Sequence, residues 1–335
     1  MHRVSVCMIV RDAEEVLERC IDSLAGGYDE LCIVDTGSTD NTADIARRRA
    51  DIFERYTGCN NTDQKIIDFS DARNRCVRLA QGDWILSIDA DEVFSNKSDK
   101  TIKQLLEVEN KTTAAAITIS RGQTQWLAIR LFRNMAEQRF HHAVHEVVNV
   151  TGEVITLRDL CIQDLGQSQK TEESASRNAR ICRNLLNQNP ADLRAMFYLA
   201  EALRKQGKFI EAGDAYMDCL DHPQLSTAYR CATLESLATC FLYLKKWQEA
   251  IDCAQMVVDL HSGLAEAYCL MGDANLALRN VSEAKACYLK AKEQKFPPDN
   301  YSLFVRKGSY GEYPQQQLSA LELLCKKHDI EYEVV

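Results

Sequence analysis

Residues 190–292 repeat themselves, and that period constrains the fold more than any other feature of the chain. Ala200 and Ala212 stand twelve residues apart, as do Ala238 and Ala250, and Gly272 and Ala284. The first members of these pairs recur after 38 and then 34 residues. Leu199, Leu237 and Met271 fall one place before them, and Leu203, Phe241 and Asn275 three places after. Tyr216, Ala254 and Tyr288 lie four places beyond the second anchor. Small residues at fixed spots let the two helices of a hairpin approach closely. Hairpins that cannot bury their apolar faces alone must then stack on one another. Pro190, Pro223 and Asn280 fall in the expected turns. Residues 171–189 read as a preceding helix and "QLSALELLCKKH" (317–328) as a capping helix, with a Tyr-, Gly- and Pro-containing loop before it.

Residues 1–165 follow a different grammar. "VSVCMIV" (4–10), "ELCIVDTG" (30–37) and "DWILSID" (83–89) read as strands. Between them, "DAEEVLERCIDSLA", "STDNTADIARRRA" and "SDARNRCVRLAQ" carry apolar residues at helical spacing. Strand and helix alternating through short connections predicts a parallel, doubly wound sheet. "AAAITIS", "WLAIRLFRN" and "HEVVNV" add strands on its far side, and Asp164 to Ser168 marks a boundary. The expected domains are 1–168 (α/β), 169–295 (helical repeats) and 296–335 (loop and capping helix).

Ligands of such sheets bind beyond the carboxyl ends of the strands. Arg11-Asp12, Asp35 and Asp89 to Asp91 all fall at such ends. An aspartate closing the second strand can accept a hydrogen bond from a ring N–H such as uracil N3, although "STDN" also suits a helix cap. Arg73, opening a helix in "FSDARN", neutralises charge if it lies beside a diphosphate and is otherwise an exposed helical arginine. In "GDWILSIDADEVF" (82–94) an apolar strand ends in Asp89, Asp91 and Glu92. Carboxylates crowded there repel one another unless a cation joins them. Asp89 and Asp91, one residue apart, point the same way and can address one hard cation, Mg²⁺ or Mn²⁺, whose remaining ligands are water and phosphate oxygens. Such an ion stabilises the charge that builds on a departing nucleoside diphosphate.

The formal charge of −9 argues against broad attraction to nucleic acid or to an anionic membrane, though "RNRCVR" (73–78) supplies three arginines for a local groove. No run approaches the roughly 18 apolar residues that cross a bilayer, and Val4 to Val10 is too short for a secretory core. A cytoplasmic protein is expected. The fourteen cysteines contain no CxxC pair and fall mainly at core positions, which predicts reduced, structural thiols.

The segments "SVCMIVRDAEEVLERCIDSL", "IVDTGSTDNT", "FSDARN" and "GDWILSIDADE", followed by "RLFRN" and "VHEVV", resemble the family-two glycosyltransferases of the Rossmann-like GT-A fold. The repeats resemble the tetratricopeptide motif. The whole chain is similar to glycosyltransferase–tetratricopeptide fusions, which include peptide S-glycosyltransferases acting on bacteriocin precursors and relatives acting on surface glycans. The resemblance implies a mixed GT-A sheet followed by an all-α solenoid, and an inverting, metal-dependent transfer of a hexose, by default glucose, from a UDP-sugar. It further implies that the backbone of Ile9, Val10 and Arg11 and the side chain of Asp35 hold uracil. Arg73 would lie near the base or the phosphates, Asp89 would face the ribose, and Asp91 would ligate Mn²⁺ or Mg²⁺.

Inversion needs one general base near the sugar, and "FHHAVHEVV" (140–148) offers His145 and Glu146. Glu146 is the candidate base. His145 suits a metal ligand or a diphosphate contact, or is a surface residue of a β-hairpin. The short catalytic half leaves the repeats to hold a peptide, protein or other polymeric acceptor. Rival readings are transfer to a modified nucleobase in DNA, with a basic stripe along Arg73, Arg75, Arg78, Arg121, Arg130 and Arg133, and a non-catalytic repeat scaffold with a decayed transferase domain. A homo-oligomer fits either.

Overall fold

The computed structural model describes residues 2–24, 27–96, 102, 111–122, 124–166, 171–296 and 305–327. The chain divides into two compact units, Met1–Lys170 and Thr171–Val335.

In the first unit the three apolar runs become parallel strands: β1 (Val4–Val10), β2 (Glu30–Asp35) and β4 (Trp84–Ser87). They sit in an eight-stranded sheet of order β3-β2-β1-β4-β7-β6-β10-β5. The added members are β3 (Ile52–Arg55), β5 (Glu92–Asn96), β6 (Thr112–Arg121), β7 (Thr124–Arg133) and β10 (Glu153–Asp164). The β3 to β4 half is parallel, whereas β7 runs antiparallel to both β4 and β6. Alternation along β1 explains its unbroken apolar character. Val4, Val6, Met8 and Val10 join a cluster with α1 (Leu17–Ser23) and α2 (Thr42–Arg49), while Cys7 joins one with α3 (Phe69–Leu79). Both faces of this strand are covered, as parallel strands require.

One strand expectation is corrected. "HEVVNV" does not cross the large sheet; only β9 (Val147–Val148) is strand, and it pairs with β8 (Phe140–His141) in a separate ribbon. The far side of the sheet is closed instead by β10, which is parallel to β6 and antiparallel to β5.

The second unit is helical. A leading helix, α4 (Thr171–Gln188), precedes three hairpins: α5 (Leu193–Lys205) with α6 (Phe209–Leu220), α7 (Thr227–Tyr243) with α8 (Trp247–Leu260), and α9 (Ala265–Ala277) with α10 (Val281–Glu293). The alanine anchors 200, 212, 238, 250 and 284 are all fully buried. Gly272 shows why the anchor must be small. A Cβ there would meet the Tyr288 ring at 2.5 Å, far inside contact distance. This is a tetratricopeptide solenoid. A 3₁₀ turn (Lys307–Tyr310) and α11 (Glu312–Lys327) follow, and Leu318 and Leu321 pack on Ala284 and Tyr288. Of the loop and tail expected within 296–335, residues 297–304 and 328–335 lie outside the described residues, as do Gln167 and Ser168 of the boundary. Among the described residues no helix is long and apolar enough to cross a membrane, and thirteen cysteines are free thiols, all but Cys161 buried.

Candidate functional site

The ends of β1 and β2 are laced together. Asp12, in a left-handed conformation (φ 46°), accepts from the Thr39 N–H at 2.8 Å, and its own N–H donates to Ser38 Oγ at 3.0 Å. Gly37 (φ 109°) allows the chain to double back there, a conformation that a side chain would strain. This turn wraps the Asp35 carboxylate. Oδ1 accepts from both the N–H and the hydroxyl of Ser38. Oδ2 is buried without a hydrogen-bond partner, with Arg55 Nε 3.5 Å away. The helix-capping reading of this segment is met by another residue, since Asp40 Oδ1 accepts from the Thr42 N–H.

The second group of charges lies beyond β4. Arg73 is not an exposed helical arginine: it is 9% exposed. Its Nη2 donates to Asp89 Oδ1 at 2.6 Å, its Nε to Glu146, and Nη1 reaches Ser87 Oγ at 3.4 Å. The fork is aimed by α3, whose N-cap Asp68 accepts from the Asp71 N–H, and by the Phe140 ring 5.5 Å from the guanidinium carbon. Phe140 is itself pinned, exchanging two hydrogen bonds of 2.8 Å with the Asn74 side chain. Arg130 from β7 closes the other side, 2.6 Å from Glu92 and 3.6 Å from Asp89. Glu92 Oε2 accepts the Asp89 N–H at 2.8 Å, which fixes the Asp-Ala-Asp turn.

Burial alone would raise the Asp89 carboxyl, yet Arg73 and Arg130 hold it down to about 2. Glu92 goes the other way, pushed up to about 7 by burial against the pull of Arg130, with the Asp89 charge adding to the rise. Burial likewise works against the charge on Arg73, but Asp89 and Glu146 reverse it and leave the guanidinium firmly protonated.

Residues 5–158 match the family described as glycosyl transferase family 2. The first unit is a family 2 glycosyltransferase domain. A TPR repeat-containing protein of Synechococcus elongatus is 39% identical over 155 residues, 44% of this chain and 36% of that one. The glycosyltransferase SunS of a Bacillus subtilis prophage is 28% identical over 145 residues, 42% of this chain and 33% of SunS. A PGL/p-HBAD biosynthesis glycosyltransferase of Mycobacterium tuberculosis is 41% identical over 92 residues, 26% of this chain and 35% of that enzyme. The matches thus span about a third of the length of these curated relatives. The first TPR domain of RPAP3, bound to an HSP90 peptide, covers 40% of this chain and 95% of its own at 23% identity, with a TM-score of 0.32.

Within the glycosyltransferase domain the structure brings Arg73, Asp89 and Glu146 into direct contact. Ile9 lies beside Arg73, Ser87 and Phe140 along a small cleft, while Val10 and Arg11 reach Thr36 through backbone and guanidinium. Asp91 is 9% exposed at the turn, and its carbonyl accepts from Leu165. His145 is exposed, in a left-handed conformation (φ 51°), on the loop joining β8 and β9. Among the described residues no three His, Cys, Asp or Glu side chains converge as a metal site.

Arg55, Arg130 and Glu92 escaped the site reading. Glu92 stood in view within "DADE", but its partner Arg130 lies 38 residues away. The arginines named for a basic stripe are engaged within the fold. Arg73, Arg75, Arg78, Arg121 and Arg130 each face a carboxylate, and Arg133 donates to the Thr112 carbonyl beneath Trp84.

Proposed function

We propose that this chain is an inverting glycosyltransferase that moves a hexose from a UDP-sugar to a peptide or other polymeric acceptor held by the repeats. The observation that carries the reading is the single guanidinium of Arg73 shared by Asp89, at the donor end of β4, and Glu146. In this reading uracil N3–H satisfies the orphaned Asp35 Oδ2 once Arg55 moves aside, and Asp89 faces the ribose. Arg73 and Arg130 engage Asp89, and Arg130 also engages Glu92; Asp91 is the carboxylate that, by the family resemblance, would hold the cation. One carboxylate with two phosphate oxygens fits Mg²⁺ or Mn²⁺, which need few protein ligands. His145 would assist at the metal or the diphosphate. A bound divalent ion would supply charge neutralisation for the leaving diphosphate.

Glu146 is held by Arg73 and must be released from it before it meets an acceptor. The diphosphate of the donor competes for that guanidinium and frees the carboxylate when the donor is in place. Glu146 then takes the acceptor proton, the acceptor atom bonds to sugar C1, and the C1–O bond breaks with its electron pair leaving on UDP. The paired arginines disfavour a nucleic-acid acceptor, and the intact Asp89–Asp91 turn disfavours a decayed domain. A mass-spectrometric screen of several UDP-sugars for hydrolysis, with and without Mn²⁺, tests the reading without knowledge of the acceptor. Turnover of one donor is expected, falling about 10²-fold or more in Asp91→Ala. Full activity in that variant removes the metal from the proposal.

A further inference from the structure

Asp35 closes β2 and Arg55 closes β3, and the two are paired in register, so both side chains rise from the same side of the sheet. Asp35 is fully buried. Its Oδ1 is taken by the N–H and hydroxyl of Ser38, and its Oδ2 has no hydrogen-bond partner. The Arg55 side chain is 53% exposed, with Nε 3.5 Å from that oxygen and Nη2 donating to the Ser38 carbonyl at 3.0 Å. The guanidinium thus lies beside the free oxygen, close enough to screen its charge but not bonded to it. A buried acceptor left short of a donor is a standing cost that an arriving N–H removes.

A carboxylate oxygen accepts and a guanidinium donates, and here the two stand side by side. That pair matches a ring N–H flanked by a carbonyl, as in uracil, where N3–H lies between O2 and O4. It mismatches cytosine and adenine, which present a ring-nitrogen lone pair beside an amino group. Three other donors nearby are committed. The Ser38 hydroxyl serves Oδ1, while the Asn60 amide and the Arg11 guanidinium reach the Thr36 carbonyl at 2.8 and 3.5 Å. Arg55 is half in solvent, where an ion pair contributes little, so its side chain is free to turn.

We propose that Arg55 is a specificity-determining residue for the base of the nucleotide. Without nucleotide it screens the Asp35 charge. When a base enters, it turns outward and donates to the carbonyl beside the N–H that Asp35 accepts. Uracil then satisfies both groups, whereas cytosine sets a lone pair against the carboxylate and its amino group against the guanidinium. The inference rests on the UDP reading above and adds the residue that enforces it.

The test is titration calorimetry of the full chain with UDP, CDP and ADP in a buffer containing Mg²⁺, read as ratios of affinity. Ribose and diphosphate contacts are common to UDP and CDP, and misfolding lowers both alike, so only base reading moves their ratio. The wild-type chain is expected to favour UDP over CDP by about a hundredfold or more. Arg55→Ala should cut that ratio about tenfold or more, the range for losing one charge-assisted hydrogen bond. Arg55→Lys, which keeps a donor without the planar fork, should fall between the two. An undiminished ratio in Arg55→Ala, beside a selective wild type, would overturn the role of Arg55 and leave the UDP reading standing. A wild-type chain that binds no diphosphate, or binds CDP or ADP as tightly as UDP, would discard both.

Discussion

Both units bury carboxyl groups, but they satisfy them with different chemistry. In the glycosyltransferase domain Asp89, Glu92 and Glu146 meet the guanidinium groups of Arg73 and Arg130, and the participants come from segments 16 to 73 residues apart. In the repeats hydroxyls join or replace the guanidinium: Glu201 meets Arg204 together with the Tyr216 and Ser236 hydroxyls, and Asp273 meets the Tyr288 and Tyr313 hydroxyls. Tyr216 donates to Glu201, and Tyr288 to Asp273, each across 15 residues and at matching places in the first and third repeats. The middle repeat has Thr239 and Ala254 at those places and lacks the pair. A local, periodic pair ties one hairpin together. A cluster of charges gathered from several segments costs desolvation that folding alone does not require, and it stands beyond the carboxyl end of β4.

The largest effect that separates these two kinds of burial is expected at Arg73. In Arg73→Ala, Asp89 and Glu146 lose their shared cation while remaining mostly buried, and removing one partner of a buried ion pair costs about 3–5 kcal/mol. Urea unfolding followed by tryptophan fluorescence reports on this unit through buried Trp84. Arg73→Lys should fall between the two, because a lysine cannot serve two carboxylates with a planar fork. A loss below about 1 kcal/mol, the range of exposed pairs, would show that the cluster is wet and resembles a surface network.

How much of this was legible beforehand differs along the same line. The repeats were readable because a period is a local signal. Each small anchor sits where two helices cross, and Gly272 against Tyr288 repeats the geometry of its alanine counterparts. The parallel strands were readable because burial on both faces leaves an unbroken apolar run. Strand β3 was missed since an edge strand of three half-buried residues and an exposed arginine carries no such run. Strand β5 was missed because it opens on Glu92, a residue that reads as a turn. Strand β10 was missed because its apolar residues do not alternate cleanly, Val154-Ile155 and Leu160 to Ile162 standing together, and its register slips between Leu157 and Cys161. At the site, residue types and strand ends pointed to Asp35, Arg73 and Asp89, and the family resemblance to Glu146. The contact of Arg73 with Glu146 spans 73 residues, and only the folded chain reveals it.

A smaller effect should mark the hydroxyl pairs of the repeats. Tyr216→Phe removes a donor from Glu201, which burial would raise but Arg204, Ser236 and Tyr216 together hold down to about 2. Tyr288→Phe removes a donor from Asp273, whose carboxyl burial raises and which keeps the Tyr313 hydroxyl. Both variants should lose about 1–3 kcal/mol, with Tyr216→Phe the larger because its partner is ionised. Thermal unfolding by calorimetry measures the difference, and the reverse order would mean that Asp273 carries the greater charge.

The smallest effect concerns pH and has opposite sign for Asp89 and Glu235. Asp89 is held to about 2 against an ordinary 3.8, so its contribution is present above 3.8 and disappears as pH falls through 2. Glu235 is raised to about 8 from an ordinary 4.5, so the folded unit retains a proton that the unfolded chain releases. That contribution is complete below 4.5 and is lost as pH rises through 8. The Asp89 contribution should therefore fail on the acid side and the Glu235 contribution on the alkaline side. In Glu235→Gln the alkaline loss should shrink, so that the melting temperature at pH 9 exceeds wild type by about 2–4 °C for a loss near 1 kcal/mol, while the two coincide near pH 5. Parallel melting curves at every pH would place the Glu235 carboxyl in water.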